Sequence, residues 1–219
     1  VRSVLAQTDP DWHLTVVDDG EAAGVPEWFA ALDDPRVTYL RNPVNLGVSG
    51  NFQKCLDLAK RDRLVIMGCD DLLLPEHVAD MTALLADHDL VQCVNGYIDP
   101  EGVLRLYVGR LDDPVYVARM TAPGSRFNFV GITGTAHTRA FYDRAGTPWE
   151  TTPEGEWPDH HQWRRMLLSS DDVRATTSDR MTVIGLPTTQ GGRDAWTPEE
   201  RYAELERWAA VVRSPDGQE

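Results

Sequence analysis

The sequence predicts an α/β fold: an open, mostly parallel sheet with helices on both faces, followed by a part of different character. Three observations predict it. Over roughly the first 95 residues, short β-branched runs alternate with helical patterns, the arrangement in which crossover helices connect parallel strands. Leu64-Val65-Ile66-Met67 is apolar throughout, as in a strand buried on both sides. From about residue 109, Pro-, Gly- and Trp-rich stretches replace the alternation. The 219 residues accordingly divide into 1–108, the α/β part, and 109–219, a more irregular part of the same domain with a few helices.

The elements follow in order. VRSVLAQ (1–7) reads as the end of a helix, with no start signal before Val1. LTVVDD (14–19) is an apolar strand ending in acid, and VPEWFAAL (25–32) is a helix with Pro26 in its first turn. RVTYLR (36–41) is a strand, and an Asn- and Gly-rich loop runs to Gly50. NFQKCLDLAKR (51–61) carries Phe52, Cys55, Leu56 and Ala59 at helical spacing. RLVIMG (63–68) is a strand, LPEHVADMTALLADH (74–88) a helix and DLVQCV (89–94) a strand. GYIDPEGVLRLYV (96–108) reads as a hairpin turning on Asp99-Pro100-Glu101-Gly102. Near the C-terminus, Thr197 and Glu200 stand at capping-box spacing with Pro198 at the first position of a helix.

A formal net charge of −14 excludes nucleic acid or an anionic membrane as the main partner, because phosphate backbones are met by Lys and Arg. A small anionic ligand stays open, since a metal ion can supply the positive charge. Cys55, Cys69 and Cys93 show no paired spacing, which fits free thiols in a reducing cytoplasm. No apolar run reaches the roughly 18 to 20 residues of a membrane span. Of 21 Lys and Arg, only Lys54 and Lys60 are lysine, a compositional hint of a bacterial source.

Two predicted strands end in paired acids, Asp18-Asp19 and Asp70-Asp71. Ligands of open α/β sheets bind beyond the carboxyl ends of the strands, so both pairs are expected on one edge. Four carboxylates there repel one another unless a hard cation, Mg²⁺ or Mn²⁺, sits among them. The plainer alternative is a turn or helix cap, which suits Asp18 and Asp19 before Gly20 better than it suits Asp70 and Asp71.

SVLAQTDPDWHLTVVDDG followed by NPVNLGVSGNFQKCLDLAKRDRLVIMGCDDLLLPEHV resembles the family 2 nucleotide-sugar glycosyltransferases, hexosyltransferase-type enzymes of the GT-A (Rossmann-like) fold. The likeness is good over about residues 3–80 and looser over 126–170. It rests on five features in order: S-x-L-x-Q-T, V-V-D-D-G, an N-x-G loop, a helix, and an acid pair before L-x-P. The resemblance implies that Asp71 contacts a metal, with Asp70 sharing the site nearer the donor sugar and ribose. It implies that Asp18 and Asp19 hold the nucleotide base, Asp19 accepting from a pyrimidine N3–H, with Asn45 and Gly47 beside them. Cys69 stands where many members carry another acid, and DGEAAG lacks the Ser and Asp that usually follow D-D-G. The family's first strand has no counterpart, so a preceding segment of about 20 residues is expected in the natural protein.

In the second half, Asp159 resembles the family's acid before a Trp- and Arg-containing helix, the catalytic base. Its capping-box spacing to Gln162 offers a helix cap instead, and one residue can serve both. Gly134 and Thr135 match a small-residue turn beside the donor sugar in an acceptor-side subdomain. His137 is a metal or phosphate contact or a packed residue, and His160 and His161 are surface or acceptor-site residues. Arg193 lies in a Gly-rich loop, either closing over the donor diphosphate or simply on the surface. Trp149, Trp157 and Trp196 either stack on a sugar or pack in the core. The implied function is metal-dependent, inverting transfer of a sugar from a nucleotide diphosphate, UDP or TDP favoured, to a small-molecule or saccharide hydroxyl. A nucleotidyltransferase, an inactive nucleotide-sugar-binding module and an acidic interaction domain remain as alternatives.

Overall fold

The computed structural model describes residues 1–20, 24–187 and 192–214. The chain forms helix α1 (Arg2–Leu5), strand β1 (Leu14–Asp18), α2 (Val25–Leu32), β2 (Val37–Arg41), α3 (Gly47–Leu58), β3 (Arg63–Val65), β4 (Asp71–Leu73) and α4 (His77–Leu84). These are followed by β5 (Leu90–Ile98), β6 (Leu104–Tyr107), α5 (Pro114–Thr121), β7 (Thr135–Thr138) and α6 (Arg139–Ala145). The last elements are α7 (Pro158–Leu167), β8 (Ala175–Gly185) and α8 (Pro198–Arg213), the last preceded by a single 3₁₀ turn at Arg193–Ala195.

The fold is α/β, with the strands in two sheets. β1 and β2 pair in parallel, from Leu14 opposite Val37 to Asp18 opposite Arg41. The larger sheet has the order β3-β7-β5-β8-β4, with β6 added to the outer half of β5. Its ladders are mixed. β5 and β8 are parallel, whereas β3–β7, β5–β7, β4–β8 and β5–β6 are antiparallel. The expectation of mostly parallel pairing holds for β1–β2 and β5–β8 and not for the rest. The reason lies in the second half of the chain, read from sequence as irregular: it supplies β7 and β8, which flank β5 and separate it from β3. THT-like polarity in β7 and the Ser178-Asp179-Arg180 interruption of β8 hide both strands. The interruption is a bulge, where the register with β5 shifts and Asp179 and Arg180 turn out to solvent.

β5 has helices on both of its faces. Leu90 packs with Leu56 of α3, Phe141 and Tyr142 of α6, and Trp163 and Met166 of α7. Val91 and Cys93 pack with Val4 of α1 and Val78 and Met81 of α4. α8 closes a third cluster, Leu205 and Ala209 against Leu72, Ile98, Ile184 and Leu186. Its capping box is complete: Glu200 N–H donates to Thr197 Oγ1, and Thr197 N–H to Glu200 Oε2. α3 begins four residues before the expected Asn51. The Leu46 N–H finds the Asp19 carboxylate and the Gly47 N–H finds Asn45 Oδ1, so side chains satisfy amides that the helix itself leaves free.

Two buried features yield predictions. Gly134 has φ +86°, and a Cβ there would fall on Asn95 Oδ1 and 2.7 Å from Cys93 Sγ. Gly134→Ala is expected to cost about 2–4 kcal/mol in urea unfolding; an unchanged midpoint would refute the steric account. His77 and His137 are fully buried, and burial holds each imidazole down at about 4. The unfolded chain therefore takes up these protons first as pH falls from about 6.5 to 4, and stability is lost over that window. Each contributes at most about 1.4 kcal/mol per pH unit. His137→Gln should flatten the pH dependence of the urea midpoint in that window, and a slope equal to wild type would contradict this.

Candidate active site

The acid pair does not end β3 as expected. β3 stops at Val65, Asp70 lies in the following turn, and Asp71 opens β4 opposite Gly185 of β8. The chain stays extended past β3 because Ile66 N–H still donates to Thr135 O, at 3.1 Å. Gly68 then brings the site together. Its N–H donates to Thr133 Oγ1 at 2.7 Å. A Cβ on Gly68 would lie 3.2 Å from Asp71 Oδ2, 3.2 Å from Thr133 Oγ1 and 3.3 Å from Asp70 Oδ1. Three oxygens thus surround a space that a side chain would fill. Gly185 leaves room on the other side, where its Cβ would be 3.0 Å from Asp71 Oδ1.

Burial, then the Asp70 charge, pushes the Asp71 carboxyl up to about 6, against the Thr133 hydroxyl and the Leu186 N–H. None of the groups that shift it is positively charged, and a bound cation would favour the ionised form. The donor set is hard oxygen, which fits Mg²⁺ or Mn²⁺. Among the described residues no group of three or more His, Cys, Asp or Glu side chains gathers to hold a metal. A pair of carboxylates suits an ion that completes its shell with water and phosphate oxygens.

At the carboxyl ends of β1 and β2 the other acids are tied into the protein. Asp18 accepts from the Tyr39 hydroxyl at 2.6 Å and the Gly20 N–H at 2.9 Å, and the Tyr39 bond leads in lowering its carboxyl below the usual range. Asp19 accepts from Leu46 N–H at 2.8 Å and Asn42 Nδ2 at 2.7 Å, and the Leu46 bond leads in lowering it. Asn45 Nδ2 donates to Asp19 O, while Lys54 Nζ donates to Asn42 Oδ1. Arg41 reaches Gly20 O through two nitrogens. Together Asp19, Gly20 and Asn45 with Arg41, Asn42, Pro43 and Val44 line a cavity of about 580 Å³. Gly47, at φ +70°, turns the chain from this loop into α3.

Asp159 is not a helix cap. Trp157 holds that position with Pro158 next, and the Gln162 amide donates to Thr147 O. Asp159 instead accepts from Asn128 Nδ2 at 2.9 Å. Burial raises its carboxyl above the usual range, against the His160 N–H and the Asn128 amide.

The remaining expected residues have structural partners. Gly134 and Thr135 shape the loop that carries Thr133: Gly134 O accepts from Cys93 N–H, and Thr135 Oγ1 donates to Gly131 O. Arg193 is buried, with Nη1 donating to Ile98 O at 2.8 Å and Nη2 to Asp99 O, so it fastens the β5–β6 turn rather than standing free for a diphosphate. The preceding loop residues 188–191 lie outside the described residues. His137 is packed against Tyr142, and His160 is buried against Met120 O rather than on the surface. His161 lies between Glu156 and Glu150. Trp149 is buried and Trp196 packs on the α8 cluster, whereas Trp157 is exposed. Sequence reasoning missed Thr133, Asn42 and Arg41. The small-residue run around Thr133 was visible, but no periodicity marks a hydroxyl that points at a carboxylate.

The family model described as Glycosyl transferase family 2 matches residues 1–146. A putative colanic acid biosynthesis glycosyl transferase, WcaA, of Escherichia coli K12 is 28% identical over 81 residues, 36% of this chain and 29% of the relative. The putative glycosyltransferase EpsE of Bacillus subtilis 168 is 27% identical over 97 residues, 43% of this chain and 35% of the relative. Staphylococcus aureus TarS 1–349 in complex with UDP-GlcNAc has the same fold at TM-score 0.67 and 15% identity, over 98% of this chain and 62% of that one. The mannosyltransferase PcManGT of Pyrobaculum calidifontis, in complex with GDP-Man and Mn²⁺, does so at TM-score 0.60 and 19% identity, over 97% of this chain and 59% of that one. This chain spans only about a third of the length of those curated relatives and about 60% of those solved chains. With two thirds of its residues matched by the family model and its fold shared with GT-A glycosyltransferases, the chain belongs to glycosyl transferase family 2.

Proposed function

We propose that this chain moves a sugar from a nucleoside diphosphate to an acceptor hydroxyl, with inversion at the anomeric carbon. The observation that carries the reading is the convergence of Asp70, Asp71 and Thr133 oxygens on the space left by Gly68. That space suits a cation and a diphosphate better than any packing role, because three oxygens, two of them from half-buried carboxylates, stabilise nothing apolar. A nucleotide-sugar donor is supported by the complexes of TarS with UDP-GlcNAc and of PcManGT with GDP-Man. The base is assigned to the cavity beside Asp19 and Asn45, with the ribose toward Asp70.

Mg²⁺ or Mn²⁺ held by Asp70 and Asp71 would supply positive charge where the leaving diphosphate develops negative charge. Asp159 accepts the proton of the acceptor hydroxyl. That oxygen forms the new bond to the anomeric carbon from the face opposite the diphosphate. The bond from the anomeric carbon to the diphosphate oxygen breaks, and its electron pair leaves with the nucleotide. Burial of Asp159 brings its proton affinity nearer to the working pH and makes it a stronger base than an exposed carboxylate. Asn128 orients it.

Calorimetric titration with UDP, TDP and GDP, each with and without Mn²⁺, tests the donor side. One nucleotide is expected to bind only with metal, and Asp71→Asn should weaken it at least tenfold. The same change removes a charge whose proton affinity the fold raises, so at pH 7.5 without metal Asp71→Asn should be about 2–3 kcal/mol more stable than wild type. Unchanged nucleotide affinity in Asp71→Asn would refute the metal assignment. Asp159→Asn should lose transfer by at least about 10²-fold while retaining donor binding. Wild-type transfer should fall as pH drops through an Asp159 pKa above the usual carboxylate range. Full activity of Asp159→Asn would remove it as the base and leave that step to another group.

A further inference from the structure

The β5–β6 hairpin carries an aromatic pair that the donor chemistry does not use. Tyr97 and Tyr107 stack with ring centroids 4.9 Å apart and planes 25° apart. Tyr107 of β6 pairs with Asn95 of β5, which brings it onto the face from which Tyr97, two residues further along, projects. Tyr97 adjoins the acid pair. Its Cβ and Asp71 Oδ1 lie 3.6 Å and 3.0 Å from one and the same point, the place where Gly185 would carry a side chain. Asp159 is among the charges that raise the Tyr107 hydroxyl, after burial and Tyr97. The pair therefore lies beside the acid pair, near enough to Asp159 for its charge to be felt at Tyr107.

Packing alone does not account for this placement. Tyr107 is 47% exposed, and its neighbours Leu106 and Val108 are exposed as well. Among the described strands β6 hydrogen-bonds to β5 alone, so it forms an edge of the sheet. An exposed aromatic ring offers a flat apolar surface with a negative face. The C–H groups along one face of a pyranose carry partial positive charge and match that surface, as does an aryl aglycone by ring stacking.

We propose that Tyr97 and Tyr107 form the acceptor subsite, a platform on which a pyranoside or aryl glycoside stacks with its hydroxyl directed between Asp159 and the acid pair. This inference rests on the transferase reading above and extends it to the acceptor. Tyr107 supplies the contact face and Tyr97 holds it upright from the side of Asp71. Recognition through a ring rather than through charge also suits an acceptor without phosphate, in keeping with the net charge of −14.

Saturation-transfer NMR on the full chain tests it, with p-nitrophenyl β-D-glucopyranoside and p-nitrophenyl α-D-mannopyranoside as probes. Wild type should bind at least one of them at millimolar concentration. Tyr107→Leu should weaken that binding about tenfold, whereas Tyr107→Phe should stay within about twofold, since leucine keeps apolar bulk on the edge strand but has no ring. Thermal melting of both variants checks that they are folded. Binding of neither probe by wild type, or equal binding by folded Tyr107→Leu, overturns the platform. A nucleotide titration of the same samples separates the two claims. Mn²⁺-dependent nucleotide binding together with ring-independent glycoside binding removes the platform alone, whereas loss of all nucleotide binding removes the transferase reading and the platform's role with it.

Discussion

Asp71 is a carboxylate withdrawn from water and set against a second carboxylate, and much of the surrounding structure is arranged to tolerate it. Burial and the Asp70 charge both work against ionisation, while one hydroxyl and one N–H work for it. Two glycines make the arrangement sterically possible, Gly68 before the turn and Gly185 on the neighbouring strand. Thr133 reaches the site because the loop carrying it is pinned by Gly134 against Cys93 and by Thr135 against Gly131. The mixed order of the large sheet follows from the same requirement. β7 must lie between β3 and β5 for its preceding loop to meet Gly68, and β8 must pair with β4 for Gly185 to face Asp71.

Asp19 makes the opposite case with the same side chain. Its carboxylate is held down by the Leu46 N–H and the Asn42 amide, so the protein itself supplies the positive end of every dipole it needs. It fastens the loop to β1 and starts α3 early. Asp71 has a hydroxyl and an N–H as well, but burial and the Asp70 charge outweigh them. Two acids that look alike in the sequence, each second in a pair after an apolar strand, thus differ in setting: hydrogen bonds from its own chain lower the Asp19 carboxyl, whereas burial and a like charge raise that of Asp71.

The sequence made the first half legible because its signals are local. Val25–Leu32, the Asp99–Gly102 turn and the capping box of α8 were each readable from a few neighbouring residues, and the structure has them. Elements whose reason lies elsewhere in the chain were not readable. β4 is three residues long and exists because β8 pairs with it. β7 is polar and short, and it is a strand because β3 and β5 bond to it on both edges. Among the candidate site residues, Asp70 and Asp71 are marked in the sequence by an anomaly, like charges after an apolar run. Thr133 was missed because a hydroxyl carries no such anomaly. For Arg193 the sequence offers a diphosphate contact or a surface position and not its buried one, because it does not show which carbonyls, here those of Ile98 and Asp99, have claimed a guanidinium.

The β5–β6 hairpin joins two regions with different tolerances for change. The first half of β5 is flanked by β7 and β8 and buried in the two main clusters, so a substitution there disturbs the whole sheet. The other half bears β6 on an open edge, with exposed side chains from Arg105 to Tyr107. Substitutions on that rim leave the carboxylate site and its glycines untouched. Natural variation can therefore re-face the hairpin, one side chain at a time, while the chemistry beside it stays fixed. A fold built this way can change the surface of one hairpin without disturbing the sheet beneath it.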